Sequence, residues 1–252
     1  MLRARPVHFT SRPDQWERLL TDLGLVKSVD GTEWREFDAG AGRLALHLAA
    51  AGSAEDGTTA FGVEVGDLAE FARRTNQAGV ETGNAPAELI RADHGDSCRI
   101  TGEDGFTFLA DTAAKAAAAD KAAPGAGSAD ADPALAVVEV WFTEDAAAAA
   151  ATLRSIGARF RPVPDADETA DFTAKNGGVL MVRPGSGPAR AGLGFEYGGD
   201  LDALRGRLTA AGHDVTLVEE AFGRSLHVPS PDAEGVAAHH PALWIASARG
   251  PA

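Results

Sequence analysis

Phe61-Gly62-Val63-Glu64-Val65-Gly66-Asp67-Leu68 runs from an apolar, strand-like stretch into a helix start, and that helix closes at Ala78-Gly79. The same landmarks return 133 residues later as Asp200-Leu201 and Ala211-Gly212. Working outward, Phe9-Thr10 pairs with Phe142-Thr143 and Gly24 with Gly157, again 133 residues apart. A constant offset over several elements marks two copies of one fold.

Each copy reads as strand, helix and several strands, followed by a second round of the same. Ser11 is the expected N-cap of the first helix, with Pro13 in its first turn. Trp16, Leu19, Leu20 and Leu23 then fall at i, i+3, i+4 and i+7, and Gly24 supplies the left-handed stop. Asp67 and Glu70 form a capping-box pattern for the second helix, with Leu68, Phe71, Ala72 and Thr75 along its buried stripe and Gly79 at its end. Residues 146–156 and 201–211 repeat the scheme, closing at Gly157 and Gly212. Asp30-Gly31, Ala39-Gly40-Ala41-Gly42, Asp104-Gly105 and Asn176-Gly177 are hairpin signals between strand-like segments. Four helices, each followed by several strands, predict an α+β chain rather than a doubly wound α/β sheet. Residues 113–133, rich in Ala, Gly, Asp and Pro, read as a linker between domains at 3–112 and 134–248.

Composition narrows the partners. A formal net charge of -14 argues against nucleic acid and against an anionic membrane surface, both of which require clustered Lys and Arg. No apolar run approaches the ~20 residues of a membrane-spanning helix. Met1-Leu2-Arg3-Ala4-Arg5-Pro6 lacks the apolar core of a signal peptide, so the expected location is the cytoplasm. The single cysteine, Cys98, excludes an internal disulfide framework and reads as a strand residue without chemistry. The expected partner is a small molecule, and a homodimer is compatible with the sequence.

The segment from Phe61 to Leu68, the helix end Asp22-Leu23-Gly24-Leu25, the turn Gly102-Glu103-Asp104-Gly105 and the region Phe222 to Val228 followed by Pro231-Asp232 together resemble vicinal-oxygen-chelate proteins, the glyoxalase, bleomycin-resistance and dioxygenase-like superfamily. The resemblance implies tandem βαβββ modules, four in two domains, each domain curling around a cleft. In metal-dependent members His and Glu from the first and last strands of the modules hold a divalent ion, with positions left open for substrate oxygens. Mapped here, those positions fall near Ala4 or Pro6, Ala45 or His47, Thr58 and Leu109 in the first half, and near Val137, Arg183, Gly192 and His239 in the second. The resemblance therefore predicts neither a metal nor another cofactor.

His8 and His47 are expected to share the cleft-facing parity of their strands, with Trp34 beside them; Trp141 and Arg183 are the counterparts in the second half. These five are the candidate ligand-binding residues, with the first-half cleft the better site. Glu139 reads as a solvated edge residue, or as a catalytic base if buried. No Gly-x-Ser-x-Gly elbow or phosphate loop occurs. Three function classes stay open: a metal-free small-molecule binder, a metal-dependent lyase, isomerase or dioxygenase, and a structural or regulatory module.

Overall fold

The structure, a computed structural model, describes residues 1–82, 87–113, 128–162, 168–220, 223–233 and 242–248. In chain order the elements are β1 (Leu2–Ala4), β2 (Val7–Thr10), α1 (Pro13–Leu23), β3 (Val26–Asp30), β4 (Trp34–Asp38), β5 (Arg43–Leu48), β6 (Thr59–Ala60), β7 (Gly62–Val65), α2 (Leu68–Thr82), β8 (Ala87–Ala92), β9 (Gly95–Thr101), β10 (Thr107–Thr112), β11 (Leu135–Thr143), α3 (Ala146–Ser155), β12 (Arg159–Arg161), β13 (Ala170–Thr173), β14 (Val179–Pro184), β15 (Arg190–Tyr197), α4 (Leu201–Ala210), β16 (Thr216–Glu220), β17 (Gly223–Pro229) and β18 (Ala242–Ser247). Setting aside the short β1 and β6, this is βαβββ four times over, an α+β fold. Most of the predicted linker, along with His239, lies outside the described residues. No helix among the described residues is long and apolar enough to cross a membrane.

The chain forms two compact units, each drawing on both sequence copies. The first comprises Met1–Arg5, Ala60–Ala126 and Glu139–Gly192; the second comprises Pro6–Thr59, Gly127–Val138 and Leu193–Ala252. In the first unit one sheet has the order β1-β7-β10-β9-β8, and β12, β13, β14 and β11 lie side by side in that order. Phe61, Val63, Cys98, Ile100 and Phe108 share a core with Ala72 of α2, with Ala149 and Leu153 of α3, and with Trp141 and Phe172. In the second unit the order is β3-β4-β5-β2-β6, with β15, β18, β17 and β16 as a further run. Its core joins Trp16, Leu19, Leu20 and Leu23 of α1 to Phe37, Leu44, Leu46, Leu204 and Leu208. Burying each of those α1 side chains contributes roughly 1.5–3 kcal/mol, which holds the helix against its sheet.

The helix ends show where local signals hold. Gly24 sits at φ 103°, a left-handed stop that costs glycine nothing. The N-cap of α1 is Arg12, not Ser11, and makes no side-chain cap bond. Ser11 is engaged elsewhere: its N–H and hydroxyl both donate to Asp56, at 2.8 and 3.0 Å. Asp67 does cap α2 through the Glu70 N–H at 2.7 Å. That helix continues through Gly79 to Thr82, because glycine interrupts a helix only weakly when packing favours continuation.

Candidate functional site

Strand alternation separates each sheet into a face against a helix and a face turned away from it. On β4 and β5 of the second unit, Phe37, Leu44 and Leu46 face α1. Trp34, Glu36, Asp38, Arg43, Ala45 and His47 therefore occupy the other face. Antiparallel pairing sets Trp34 opposite His47, and parallel pairing of β2 with β5 sets Phe9 opposite His47. The result is an aromatic row across three neighbouring strands. Ring centroids are 5.3 Å apart for Phe9 and His47, and 5.8 Å apart, edge-on, for His47 and Trp34. All three side chains are only partly buried. His47 Nδ1 lies 3.1 Å from the Leu48 carbonyl. A carbonyl can only accept, so in the neutral ring Nδ1 carries the hydrogen and Nε2 is left as an acceptor.

Beyond Ala45 along the same face lies a buried ion cluster. Arg43 donates from Nε to Asp38 Oδ1 at 2.7 Å and from Nη1 to Glu36 Oε2 at 2.9 Å. The other Glu36 oxygen accepts Trp34 Nε1–H at 3.2 Å. Both carboxylates are thus spent on one guanidinium.

The first unit repeats this chemistry on its helix-averted faces. Arg3 pairs with Glu64 and Arg5 with Asp111, all of them largely buried. Asp111 also accepts from Ser97, and His94 lies 3.0 Å from it. Burial pulls Asp111 upward, but Arg5, Ser97 and His94 outweigh it and hold the carboxyl below its ordinary range. Asp171, fully buried on β13, accepts from Arg183 Nη1 at 2.6 Å and has Arg161 Nη2 at 3.8 Å.

These pairings decide whether a divalent ion fits. Such an ion needs carboxylate or imidazole lone pairs free to converge on it. Here Glu36, Asp38, Glu64, Asp111 and Asp171 all face a guanidinium, and its positive charge repels a second cation. Among the described residues no group of three or more His, Cys, Asp or Glu could hold a metal ion. The donor set does not fit the metal that the fold resemblance implies.

Two of the candidate residues stand elsewhere than expected. His8 pairs with Leu46, so it faces α1, on the face opposite to His47. It is buried, with Nδ1 2.9 Å from Thr59 Oγ1 and Nε2 2.8 Å from Asp232 Oδ2. Thr10 and Trp16 also donate to Asp232. Burial pulls Asp232 upward, but the donors from His8, Trp16 and Thr10 together hold its carboxyl low. Trp141 is fully buried in the core of the first unit and donates Nε1–H to Asp104 at 3.0 Å. Trp34 and His47 are neighbours in the second unit; Arg183 lies in the first. Glu139 is wholly buried rather than a solvated edge residue. It accepts the Gly62 N–H at 2.8 Å, and burial raises its carboxyl well above the ordinary range.

Phe9 is the residue that sequence reasoning missed. A signal existed in the repeat: the position matched to His8 is Trp141, an inward aromatic, whereas Phe9 matches Phe142.

No protein-family model matches the sequence, and a search of curated proteins gives no match. Solved structures do match. A catechol 2,3-dioxygenase superposes with a TM-score of 0.62 at 14% identity, covering 99% of this chain and 88% of that one. The Mn(II)-bound glyoxalase from Novosphingobium aromaticivorans gives 0.61 at 12%, covering 97% and 80%. Homoprotocatechuate 2,3-dioxygenase from Arthrobacter globiformis gives 0.60 at 15%, covering 98% and 78%. At such identities the likeness is one of fold: the chain has the vicinal-oxygen-chelate fold. That fold hosts unrelated chemistries, so none of these activities transfers with it.

Proposed function

We propose that this chain is a metal-free small-molecule-binding protein whose ligand is a planar aromatic molecule carrying a hydrogen-bond donor. The observation that carries this reading is the row Phe9, His47 and Trp34, partly exposed and laid across three adjacent strands. Aromatic rings stack or meet edge-on with such a row, a contact worth about 0.5–1.5 kcal/mol beyond area burial. His47 Nε2 supplies an acceptor within the row, so a ring bearing O–H or N–H is preferred over a bare hydrocarbon. The adjoining Glu36–Arg43–Asp38 cluster supports metal-free binding, because its carboxylates are already neutralised.

The test is saturation-transfer NMR with catechol, indole and naphthalene, alongside elemental analysis after extensive dialysis. Catechol and indole should receive saturation from the wild type and lose it in the Trp34→Ala/His47→Ala variant, with naphthalene weaker. Stoichiometric retained zinc, iron, nickel or manganese, or equal transfer to the double variant, would overturn the reading.

A further inference from the structure

The helix-averted face of β12, β13 and β14 in the first unit carries charge of the opposite sign from the chain as a whole. Phe160, Phe172, Leu180 and Val182 point to the helix side, where Arg154 lies 5.2 Å from the Phe160 ring centroid. Arg159, Arg161, Asp171, Thr173, Met181 and Arg183 therefore share the other face. Asp171 is the one carboxylate among the described residues of these three strands. Arg190, opening β15, joins the same surface: its guanidinium lies 4.7 Å from the Phe142 ring centroid. β12, β13 and β14 together carry three arginines against one carboxylate, a local excess of positive charge in a chain of net charge -14; β15 adds Arg190 and, toward its far end, the buried Glu196.

The geometry shows which guanidiniums face outward. Asp171 is fully buried, whereas the Arg183 side chain keeps 24% of its exposure. Arg183 Nη1 is committed to Asp171, but Nη2 is aimed at the Met181 sulfur at 3.0 Å. A thioether is a weak acceptor, readily displaced by an oxygen anion. Arg190 forms no ion pair among the described residues and rests on an aromatic face. That arrangement is built: a Cβ on Gly192 would come 2.7 Å from the Phe142 ring, so only glycine lets the ring lie there. A Cβ on Gly185, two residues beyond Arg183, would come 3.3 Å from Arg190 Nη1. Arg190 therefore lies against the strand end that carries Arg183, while Glu144, beside the same turn, accepts the Gly187 N–H at 2.9 Å.

We propose that this face binds the carboxylate or phosphate group of a small organic anion through Arg183 and Arg190, with Phe142 holding Arg190 in place. Planar guanidiniums suit both groups, because each offers paired N–H donors to paired oxygens. The site is separate from the aromatic row and does not depend on it.

The experiment follows the arginine Nε–Hε resonances of the full chain by NMR during addition of sodium phosphate or sodium malonate, with sodium chloride holding ionic strength constant. Saturable shifts at Arg183 and Arg190 are expected; saturation by malonate alone, or by phosphate alone, identifies the group. Arg190→Gln should weaken binding about tenfold. Asp171→Asn should tighten it, by removing the competing carboxylate. Trp34→Ala should leave it unchanged, so this site is scored independently of the aromatic row. Shifts that stay linear with both anions would overturn the proposal. So would wild-type affinity in an Arg190→Gln protein whose backbone spectrum shows it folded.

Discussion

Asp104 and Asp232 occupy matching turns in the two units, and each accepts a threonine hydroxyl hydrogen at 2.7 Å. The donors, Thr143 and Thr10, are themselves repeat partners 133 residues apart. Each threonine oxygen also accepts the N–H two residues on, from Asp145 and Arg12. What differs is the aromatic donor. Trp141 serves Asp104 in the first unit, whereas His8 and Trp16 share Asp232 in the second.

Because Asp232 satisfies three buried side-chain donors and Asp104 two, their removal should cost different amounts. Asp232→Ala should lose about 4 kcal/mol and Asp104→Ala about 2, at roughly 1–3 kcal/mol per stranded buried donor. Urea unfolding at neutral pH measures both. The Asp232 carboxyl is held low in the folded protein, so its contribution is full above the unfolded value near ~3.9 and lost as pH falls through the folded value. Asp232→Asn should flatten that acid limb.

Glu139 has the opposite sign. Burial raises its folded carboxyl well above the ordinary range. The unfolded chain therefore releases the proton first, and stability is full below about pH 4.3 and lost as pH rises toward the folded value. Glu139→Gln keeps an acceptor for the Gly62 N–H and removes the ionisation. The variant should show a smaller drop in urea midpoint between pH 5 and pH 8 than the wild type. An equal drop in the two proteins would show that Glu139 is not the group responsible.

Removing Arg43 tests whether its guanidinium is what keeps a cation from the Glu36 and Asp38 carboxylates. Arg43→Ala removes the guanidinium between the buried Glu36 and Asp38 carboxylates, at a cost of about 3–5 kcal/mol. The two carboxylates should then bind a divalent ion, so added Mn2+ should raise the melting temperature of the variant and leave the wild type unmoved. Thermal scans with and without the ion read the difference directly.

Cys98 should be inert while the chain is folded. It is fully buried, and burial, with some help from Glu88, pushes its thiol up to about 11. Ellman's reagent at pH 8 should find no reactive thiol until denaturant is added. Rapid native labelling would mean that β9 opens far more readily than its core packing implies.

The four modules were legible because helix stripes and left-handed stops are local signals. Trp16, Leu19, Leu20 and Leu23 are all buried, and Gly24, Gly157 and Gly212 all sit at positive φ. The site was legible only in part. Trp34 and His47 fall together because β4 and β5 form a hairpin whose register a short turn sets. His8 was assigned the wrong face because β2 pairs with β5 in parallel across an intervening helix, where no turn fixes register and a slip of one residue reverses every side chain. Glu139 was misjudged for a related reason: whether a strand lies at an edge or in an interior is decided by distant segments.

Each compact unit is assembled from separated stretches, and β11 itself begins in one unit at Leu135 and ends in the other at Thr143. On the ribosome this sets a nested timetable. The segments of the first unit are all in hand once Gly192 has emerged, whereas Pro6–Thr59 must wait for Leu193 onward before its core can close. The α1 stripe can settle on Phe37, Leu44 and Leu46 of its own segment at once, but Leu204 and Leu208, which complete the same core, arrive only after every segment of the first unit has been made.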